Sequence, residues 1–393
     1  MTYKFQARLN SEWVLEKPSG EVFALGETLR LLSAVEASGN ITGACRQCDM
    51  SYRHAWGLLR KAEKEFGMPL LETSRRQGSK LTEFAQHLLW ANRRVDARLT
   101  PTLQSIASEL QEELEGLYPE SRPKLRLHAS HGFAVEGLMQ LANHEDMSPV
   151  ELRYRTAVEG LAALNRGDCD LAGFQVPVGQ FESPILEHYG PWLDDDRHCL
   201  IYLAQRDTGL FVQQGNPKNI HSLADLIKPD VRFVNRQVGS STRLLVGLML
   251  DHLGINPDHI KGYDSGEFTH MAIAAHVASG MADAGVGVET AAWRCGLSFI
   301  PLAKERYFFA VQRDSLENPL MQQLLALLVD PRYLDYVSEL VGYDARDIGK
   351  VFSLKEAFGR TWKDQVRGSA ARDMSARRNA ARGAQNKFSM VSP

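Results

Sequence analysis

The chain has 393 residues, 24% of them charged, and a formal net charge of −3. That length exceeds what one ordinary core serves and points to two or three domains, while the near-neutral balance excludes a protein that coats nucleic acid through bulk charge; only local basic patches are left to meet phosphate. No run reaches the roughly 18 apolar residues of a membrane span, MTYKFQARLNSEW lacks the apolar middle of a secretory signal, and five cysteines do not read as a disulfide framework, so the expectation is a cytoplasmic protein with reduced thiols.

LGETLRLLSAVEASG places Leu25, Leu29, Leu32 and Val35 at three-to-four spacing and ends on Gly39, which predicts a helix stopped by glycine. ITGACRQC predicts a short second helix. Its Cys45 and Cys48 have CxxC spacing without a second pair, and they are read as packing thiols. DMS makes a turn, and YRHAWGLLRKAEKEFG predicts a third helix with Ala55, Leu58, Leu59 and Ala62 facing inward. MPLLETS and SKLT then read as two short strands joined by SRRQG, the form of a β-wing.

In a helix-turn-helix the second helix enters the major groove and reads base edges from its first residues. Here those residues are Ser51, Tyr52, Arg53 and His54. Ser51 would cap the helix and aim free N–H groups at a phosphate, Arg53 suits guanine or phosphate, and Arg60 trails along the outer face with Lys61 and Lys64. Arg75, Arg76 and Lys80 of the wing would hold the flanking backbone. Trp56 reads equally as a stacking partner for sugar-phosphate or as core wall. A basic helix alone is more often a solvated face; turn spacing, wing and the long helix that follows reverse that reading toward double-stranded DNA.

From Thr82 to Leu117, apolar residues including Leu99, Leu103, Ile106, Leu110 and Leu114 recur at threes and fours, which predicts a helix that pairs with another helix and makes a homodimer or tetramer through residues 82–117, the other reading being an amphipathic helix that lies on its own domain. Pro101 predicts a kink, or a restart capped by Thr100. YPESRP ends that helix as a linker.

LRLHAS, VELRYRT, LAGFQV, VRFVN and ADAGVGV then alternate with helical stretches, which predicts βαβ units with parallel sheets. HCLIYLAQR and GLFVQQGN would carry the chain into a second lobe and FIPLAKERYFFAVQR would return it, leaving a crevice. In FVNRQVGSSTRLLVGLMLDHLG a strand runs through a Gly-Ser-Ser-Thr turn into a helix starting at Thr242 or Arg243. The hydroxyls of Ser240, Ser241 and Thr242 with free N–H groups make an anion nest there, and Arg236 and Arg243 add charge. Other strand-to-helix turns offer Ser130 and His131, Thr156, and Glu267, Thr269 and His270. Such turns gather at the carboxyl edges of open sheets, where ligands bind. WLDDDRH, with Asp194 to Asp196, reads as an exposed acidic loop. The absence of GxSxG, GxxxxGK[ST], HExxH and paired Cys clusters argues against an enzyme, a catalytic cofactor or a metal site.

The fold class expected is therefore α/β overall. A winged helix-turn-helix occupies residues 1–81, a linker helix 82–121, a two-lobed ligand-binding domain 122–362 and a basic, disordered tail 363–393.

The stretch from Ala7 to Leu89, with ARLNSEWVLEK, LRLLSAVEASGNITGACRQCDMSYRHAWGLLRKAEKEFGMPLLE and LTEFAQHLL, resembles the winged helix-turn-helix of ModE-type and LysR-type bacterial regulators, MSYRHAW looking especially like the ModE branch. Gln47 and Cys48 depart from the usual alanine-leucine type stretch. From Leu125 to Leu354, the strings VEGLAALNRGDCDLAGF, NRQVGSSTR, FTHMAIAAHVASGMADAGVGVE and FIPLAKERYFFAV resemble cytoplasmic members of the type II periplasmic-binding-protein superfamily described as molybdate-binding-like. Gly-Ser-Ser-Thr stands where relatives often show Gly-Ser-Gly-Thr, which restricts the backbone at Ser241. The resemblance implies a dimer joined through the linker helix and an effector such as molybdate, tungstate, a molybdopterin-type cofactor or a small carboxylate such as formate. It also implies control of molybdenum-enzyme or transport genes, formate dehydrogenase among them. The alternative is an enzyme or carrier handling molybdenum cofactor through the same domain; an exported transport receptor would need the signal that the amino terminus lacks.

Overall fold

The computed structural model describes residues 7–74, 78–117, 124–144 and 150–359. The wing-tip Arg75 and Arg76, the YPESRP linker and the basic tail lie outside the described residues.

A hairpin not anticipated from the sequence, β1 (Val14–Glu16) with β2 (Val22–Ala24), opens the chain. Three helices follow: α1 (Gly26–Ser38), α2 (Ile41–Gln47) and α3 (Tyr52–Phe66). Gly39 ends α1 with φ 70°, a left-handed conformation that glycine adopts without a Cβ penalty. Asn40 caps α2, its side chain accepting from the Gly43 N–H. The apolar faces meet in one core of Leu25, Leu29, Leu32, Val35, Ala55, Leu59 and Ala62; Leu58 is only half-buried. β3 (Leu71–Ser74) and β4 (Gly78–Leu81) pair antiparallel as the stem of the wing.

α4 (Glu83–Gly116) is one 34-residue helix, and Pro101 neither breaks nor restarts it. Proline has no N–H to give the carbonyl four residues earlier, that of Ala97. The Thr269 hydroxyl, from the far end of the chain, donates to that carbonyl at 3.0 Å instead. Ala85 and Leu89 anchor the start of α4 in the helix-turn-helix core.

The rest is built on β5 (Leu125–Ala129), α5 (Phe133–His144), β6 (Val150–Tyr154), α6 (Ala157–Arg166), β7 (Leu171–Pro177), α7 (Glu182–Tyr189), β8 (His198–Val212), β9 (Phe233–Arg236), α8 (Ser241–His252), β10 (Gly266–Glu267), α9 (His270–Ala278), β11 (Ala284–Val288), α10 (Glu289–Arg294) and β12 (Ser298–Gln312). Two short strands, β13 (Tyr343–Asp344) and β14 (Val351–Ser353), complete a ten-stranded sheet of order β10-β9-β11-β8-β12-β7-β5-β6, both pairing β8. The sheet is mixed, which corrects the expectation of parallel sheets: β5, β6 and β7 run parallel, as do β9, β10 and β11, but both sets meet β8 and β12 antiparallel. HCLIYLAQR and the GLFV of GLFVQQGN are one strand, the 15-residue β8, because Asp207 and Thr208 stay paired with Lys304 and Ala303 of β12 across a bulge. β8 and β12 thus run through both lobes. Lobe 1 is packed on both sheet faces by clusters around Leu127 and Phe309 and around Leu161 and Phe174; lobe 2 by clusters around Phe233 and Val286 and around Phe211 and Ile273.

Candidate functional site: an exposed helix and a charged crevice

At the amino-terminal module, Ser51 caps α3, its hydroxyl accepting from the His54 N–H at 3.2 Å. Tyr52, Arg53, His54 and Arg60 are exposed on one side of the helix whose other side carries the buried Ala55, Leu59 and Ala62. Trp56 is half-buried, edge-on to Tyr52 at 6.2 Å with the Arg60 guanidinium 6.0 Å over its ring, so it both leans on the core and braces the exposed face. His54 Nε2 lies 3.4 Å from Glu27, which ties the start of α3 to α1. Lys80 is exposed on β4. The result is a convex helix face with aromatic and basic groups at its amino end, the shape and chemistry a major groove receives.

The second assembly lies where the two lobes meet. Arg206 and Glu305 are cross-strand partners at the middle of β8 and β12 and are 2% and 1% exposed. Glu305 Oε2 accepts from Arg206 Nε at 3.1 Å, from Arg206 Nη2 at 3.0 Å and from the Thr208 hydroxyl at 2.8 Å. Burial works against the Arg206 charge, but Glu305 outweighs it and the guanidinium is held more firmly protonated than usual. Its Nη1 has no hydrogen-bond partner among the described residues.

Arg236 ends β9 at 3% exposure. Its Nη1 donates to the Glu267 backbone carbonyl at 3.2 Å, and its Nε has no partner among the described residues. No carboxylate of the described residues forms an ion pair with it. Burial first, then the nearby Arg206, lower its pKa to about 9, so two buried cations share one neighbourhood in which Glu305 is spent on Arg206.

The sequence-predicted polar residues divide around this pair. Ser130, Ser241, His131 and His270 are brought to it. Ser241 Oγ donates to Gln175 Oε1 at 2.6 Å and Gln175 Nε2 donates to Ser130 Oγ at 2.9 Å, a bridge from lobe 2 through β7 to the β5–α5 turn. Burial, and then Arg236, push His131 down to about 4, and its ring packs on Tyr154. His270 is 4% exposed and is lowered well below its ordinary value by burial and then by Arg236 and Arg206, so both rings are neutral near pH 7.

Others are placed differently. Ser240 caps α8 by accepting from the Arg243 N–H, so the helix begins at Ser241 and not at Thr242 or Arg243. Ser241 has no positive φ; the serine there needs no glycine-like backbone and contributes its hydroxyl to Gln175. Thr242 is 1% exposed, packed under the helix. Thr156 caps α6 in a reciprocal capping box with Glu159, and a side chain added at Gly239 would meet its methyl. Arg243 turns away from the crevice: it donates to the Arg236 backbone carbonyl at 3.1 Å, pairs with Asp264 and stacks over Tyr263. Thr269 caps α9 and gives its proton to Ala97, so its hydroxyl is spent on structure. Gln175, Arg206, Thr208 and Glu305 escaped the sequence reading. The available signal was a short charged cluster inside each of two otherwise apolar runs, Arg206 and Asp207 in HCLIYLAQRDTGLFV and Lys304, Glu305 and Arg306 in FIPLAKERYFFAVQ.

A separate groove of about 660 Å³ lies between α6 and the β5–β6 edge, lined by Arg126, His128, Arg153, Arg155, Arg166 and others. Most of its charge is answered in place: Arg126 pairs with Asp170, Arg153 with Glu151 and Arg166 with Asp168. No group of three or more His, Cys, Asp or Glu among the described residues could hold a metal ion, and no helix among them is long and apolar enough to cross a membrane.

Comparison with known proteins matches these two assemblies to two families. Residues 27–86 match the bacterial regulatory helix-turn-helix protein, lysR family, and residues 120–329 match the PBP superfamily domain. The chain is 32% identical over 249 residues to the uncharacterized protein YvgK of Bacillus subtilis (strain 168), covering 62% of this chain and 79% of that one. It is 34% identical over 100 residues to an uncharacterized protein in the ferredoxin 2Fe-2S gene 5′ region of Clostridium pasteurianum, covering 25% and 88%. Among solved structures it is similar to CbnR, a LysR family transcriptional regulator (TM-score 0.35, 17% identity, 77% of this chain and 98% of that chain), and to full-length LysG from Corynebacterium glutamicum with bound effector Arg (TM-score 0.37, 16% identity, 79% and 98%). With more than half of its length matched, the chain belongs to the PBP superfamily, and a helix-turn-helix matching the lysR family stands in front of that domain, the pairing of a ligand-responsive, DNA-binding transcriptional regulator.

Proposed function

We propose that the regulator senses a small anion held in the crevice by Arg236 and Arg206, with Ser130, Ser241, Gln175, His131 and His270 as neutral partners. The observation that carries this reading is a buried guanidinium with an unpartnered N–H and no carboxylate to neutralise it. A buried charge left in that state is costly, and an anionic ligand is what relieves it. The Ser241 to Gln175 hydrogen bond between the rims, with room for no more than a methyl group between Thr156 and Gly239, favours a compact ligand. A tetrahedral oxyanion such as molybdate or tungstate fits both charge and size; a molybdopterin-type cofactor would meet the same arginines through its phosphate but requires the lobes to part. The genes under control would then be those of molybdenum enzymes or transport, formate dehydrogenase among them.

The exposed start of α3, with Ser51, Tyr52, Arg53, His54 and Arg60, takes the major groove, and the wing with Arg75, Arg76 and Lys80 takes the flanking backbone. Leu99, Ile106 and Leu110 are exposed at heptad-like spacing on α4, which supports a homodimer through that helix in the cytoplasm. Thermal unfolding of the full chain with molybdate, tungstate, sulfate, phosphate and formate tests the effector: selective binding raises the midpoint, and Arg236→Gln should remove the rise while leaving DNA retardation intact. No rise with any of these anions, or a rise that survives Arg236→Gln, overturns the reading.

A further inference from the structure

We infer that the effector site is completed by the linker helix: Arg98 of α4 holds the Glu267 carboxylate away from Arg236, keeping that guanidinium free for an anion, so that seating of α4 and anion binding favour one another. This deepens the anion reading of the crevice and rests on it for the ligand, though not for the switch itself.

Glu267 stands between two cations that belong to different parts of the chain. Its backbone carbonyl accepts from Arg236 Nη1 at 3.2 Å. Its carboxylate, on a side chain only 2% exposed, accepts from Arg98 Nε at 2.9 Å and 2.7 Å and again from Arg98 Nη2. His276 Nδ1 lies 3.1 Å from Oε1, but burial, with Arg98 and Arg94 added to it against Glu267, lowers that ring's affinity for a proton, so with α4 seated Arg98 is the main counter-charge. Were Arg98 withdrawn, a buried carboxylate would lose its main counter-charge, while Arg236, bonded to the backbone carbonyl of the same residue and favoured in its charge by Glu267, lies close by. A carboxylate turned onto Arg236 competes directly with any anion from solution.

α4 is also seated on both lobes. On lobe 2 it holds Arg98 against Glu267, the Ala97 carbonyl under the Thr269 hydroxyl, and Trp90 against the cluster of Ile273 and Ala292. On lobe 1 the Ser105 hydroxyl accepts from the Tyr154 N–H at the β6 edge, at 3.4 Å. Parting of the lobes must loosen one of these seats. Coupling of this kind is reciprocal: if seating α4 raises anion affinity by some factor, the anion favours the seated helix by the same factor.

The experiment uses the full chain and four forms: wild type, Arg98→Gln, Glu267→Gln and the double variant. Arg98 is half exposed, so its replacement does not hollow a core. Titration with molybdate and with sulfate, followed calorimetrically, should show Arg98→Gln weakening binding about tenfold, an ordinary coupling between sites. The double variant should recover the affinity of Glu267→Gln, because a neutral amide no longer competes for Arg236; a merely structural role of Arg98 gives no such rescue, and Arg98→Lys should stay near wild type. A crystal structure of ligand-free Arg98→Gln tests the switch independently of any ligand: the Glu267 carboxylate within about 4 Å of the Arg236 guanidinium supports it, and a carboxylate that stays away overturns it. If wild type binds neither anion, the effector reading fails, and the position of Glu267 in that crystal still decides whether the switch exists.

Discussion

Glu305→Leu should be among the most damaging single changes in the chain. The carboxylate is 1% exposed, and its Oε2 takes two charged hydrogen bonds from Arg206 and one from Thr208. Two hydrogen bonds to charged groups at roughly 1.5–3 kcal/mol each give a loss of about 3–6 kcal/mol. The cost of stranding one partner of a buried ion pair, about 3–5 kcal/mol, arrives at the same range by another route. Taking about 4 kcal/mol, and about 2–4 °C per kcal/mol for a domain of this size, the melting midpoint of the two-lobed domain should drop by roughly 8–16 °C. Removing both charges is a different perturbation: Arg206→Met with Glu305→Leu leaves no stranded ion, and most of the loss should be recovered. Thermal unfolding followed by tryptophan fluorescence measures both. A single variant that loses less than about 1 kcal/mol, or a double variant as unstable as the single, refutes the idea that Arg206 depends on Glu305 for its charge compensation.

Acidification should weaken the two-lobed domain through His131. Its folded pKa of about 4 lies below the ordinary 6.5 because of burial and then Arg236, so between those values the unfolded chain binds a proton that the folded chain does not. Stability is therefore full above pH 6.5 and declines as pH falls toward 4, by up to about 3 kcal/mol; His131→Gln should flatten the urea midpoint across that window, and an unchanged slope counts against it. Arg53→Ala on α3 should weaken retardation of DNA from the regulator's own upstream region by about 1–3 kcal/mol, whereas Lys64→Ala should chiefly lower the salt dependence of binding, by about one unit of slope. Equal effects of the two would place Arg53 among phosphate contacts only. Leu110→Asp, at 37% exposure on α4, should shift the protein to monomer in sedimentation velocity, and an unmoved oligomer would put the interface elsewhere.

The helical core of the amino-terminal module was legible because its evidence is local. Leu25, Leu29, Leu32 and Val35 repeat at helical period, Gly39 stands where a left-handed residue is needed, and Ser51 stands where a cap is needed. β1 and β2 were missed for an equally physical reason. Three-residue strands carry almost no period, and Val14, Leu15 and Val22 are exposed, so no inward face marks them. In the two-lobed half the longer strands and most of the helices announced themselves, but α7 and the two- and three-residue strands β10, β13 and β14 did not, and neither did the direction of β8 and β12, since a buried apolar strand reads the same whether its neighbours run with it or against it.

The crevice shows where local reasoning stops. Ser240, Ser241, Thr242 and Arg243 lie consecutively and look like one nest, yet in the fold each meets a different demand: a helix cap, a bridge to Gln175, a packed position, and an outward bond to Asp264. The same limit explains Pro101. Read along the chain, a proline in a helix leaves an orphan carbonyl and predicts a break. In the folded chain the orphan is answered by Thr269, 172 residues away. A threonine that sequence reading assigned to the ligand thus serves the linker helix, one residue removed from the His270 that does reach the crevice. Between Glu267 and His270 the chain therefore gives α4 the Glu267 carboxylate and the Thr269 hydroxyl and gives the buried arginines the Glu267 carbonyl and His270, so that a ligand moving the second set pulls on the first through a single short segment.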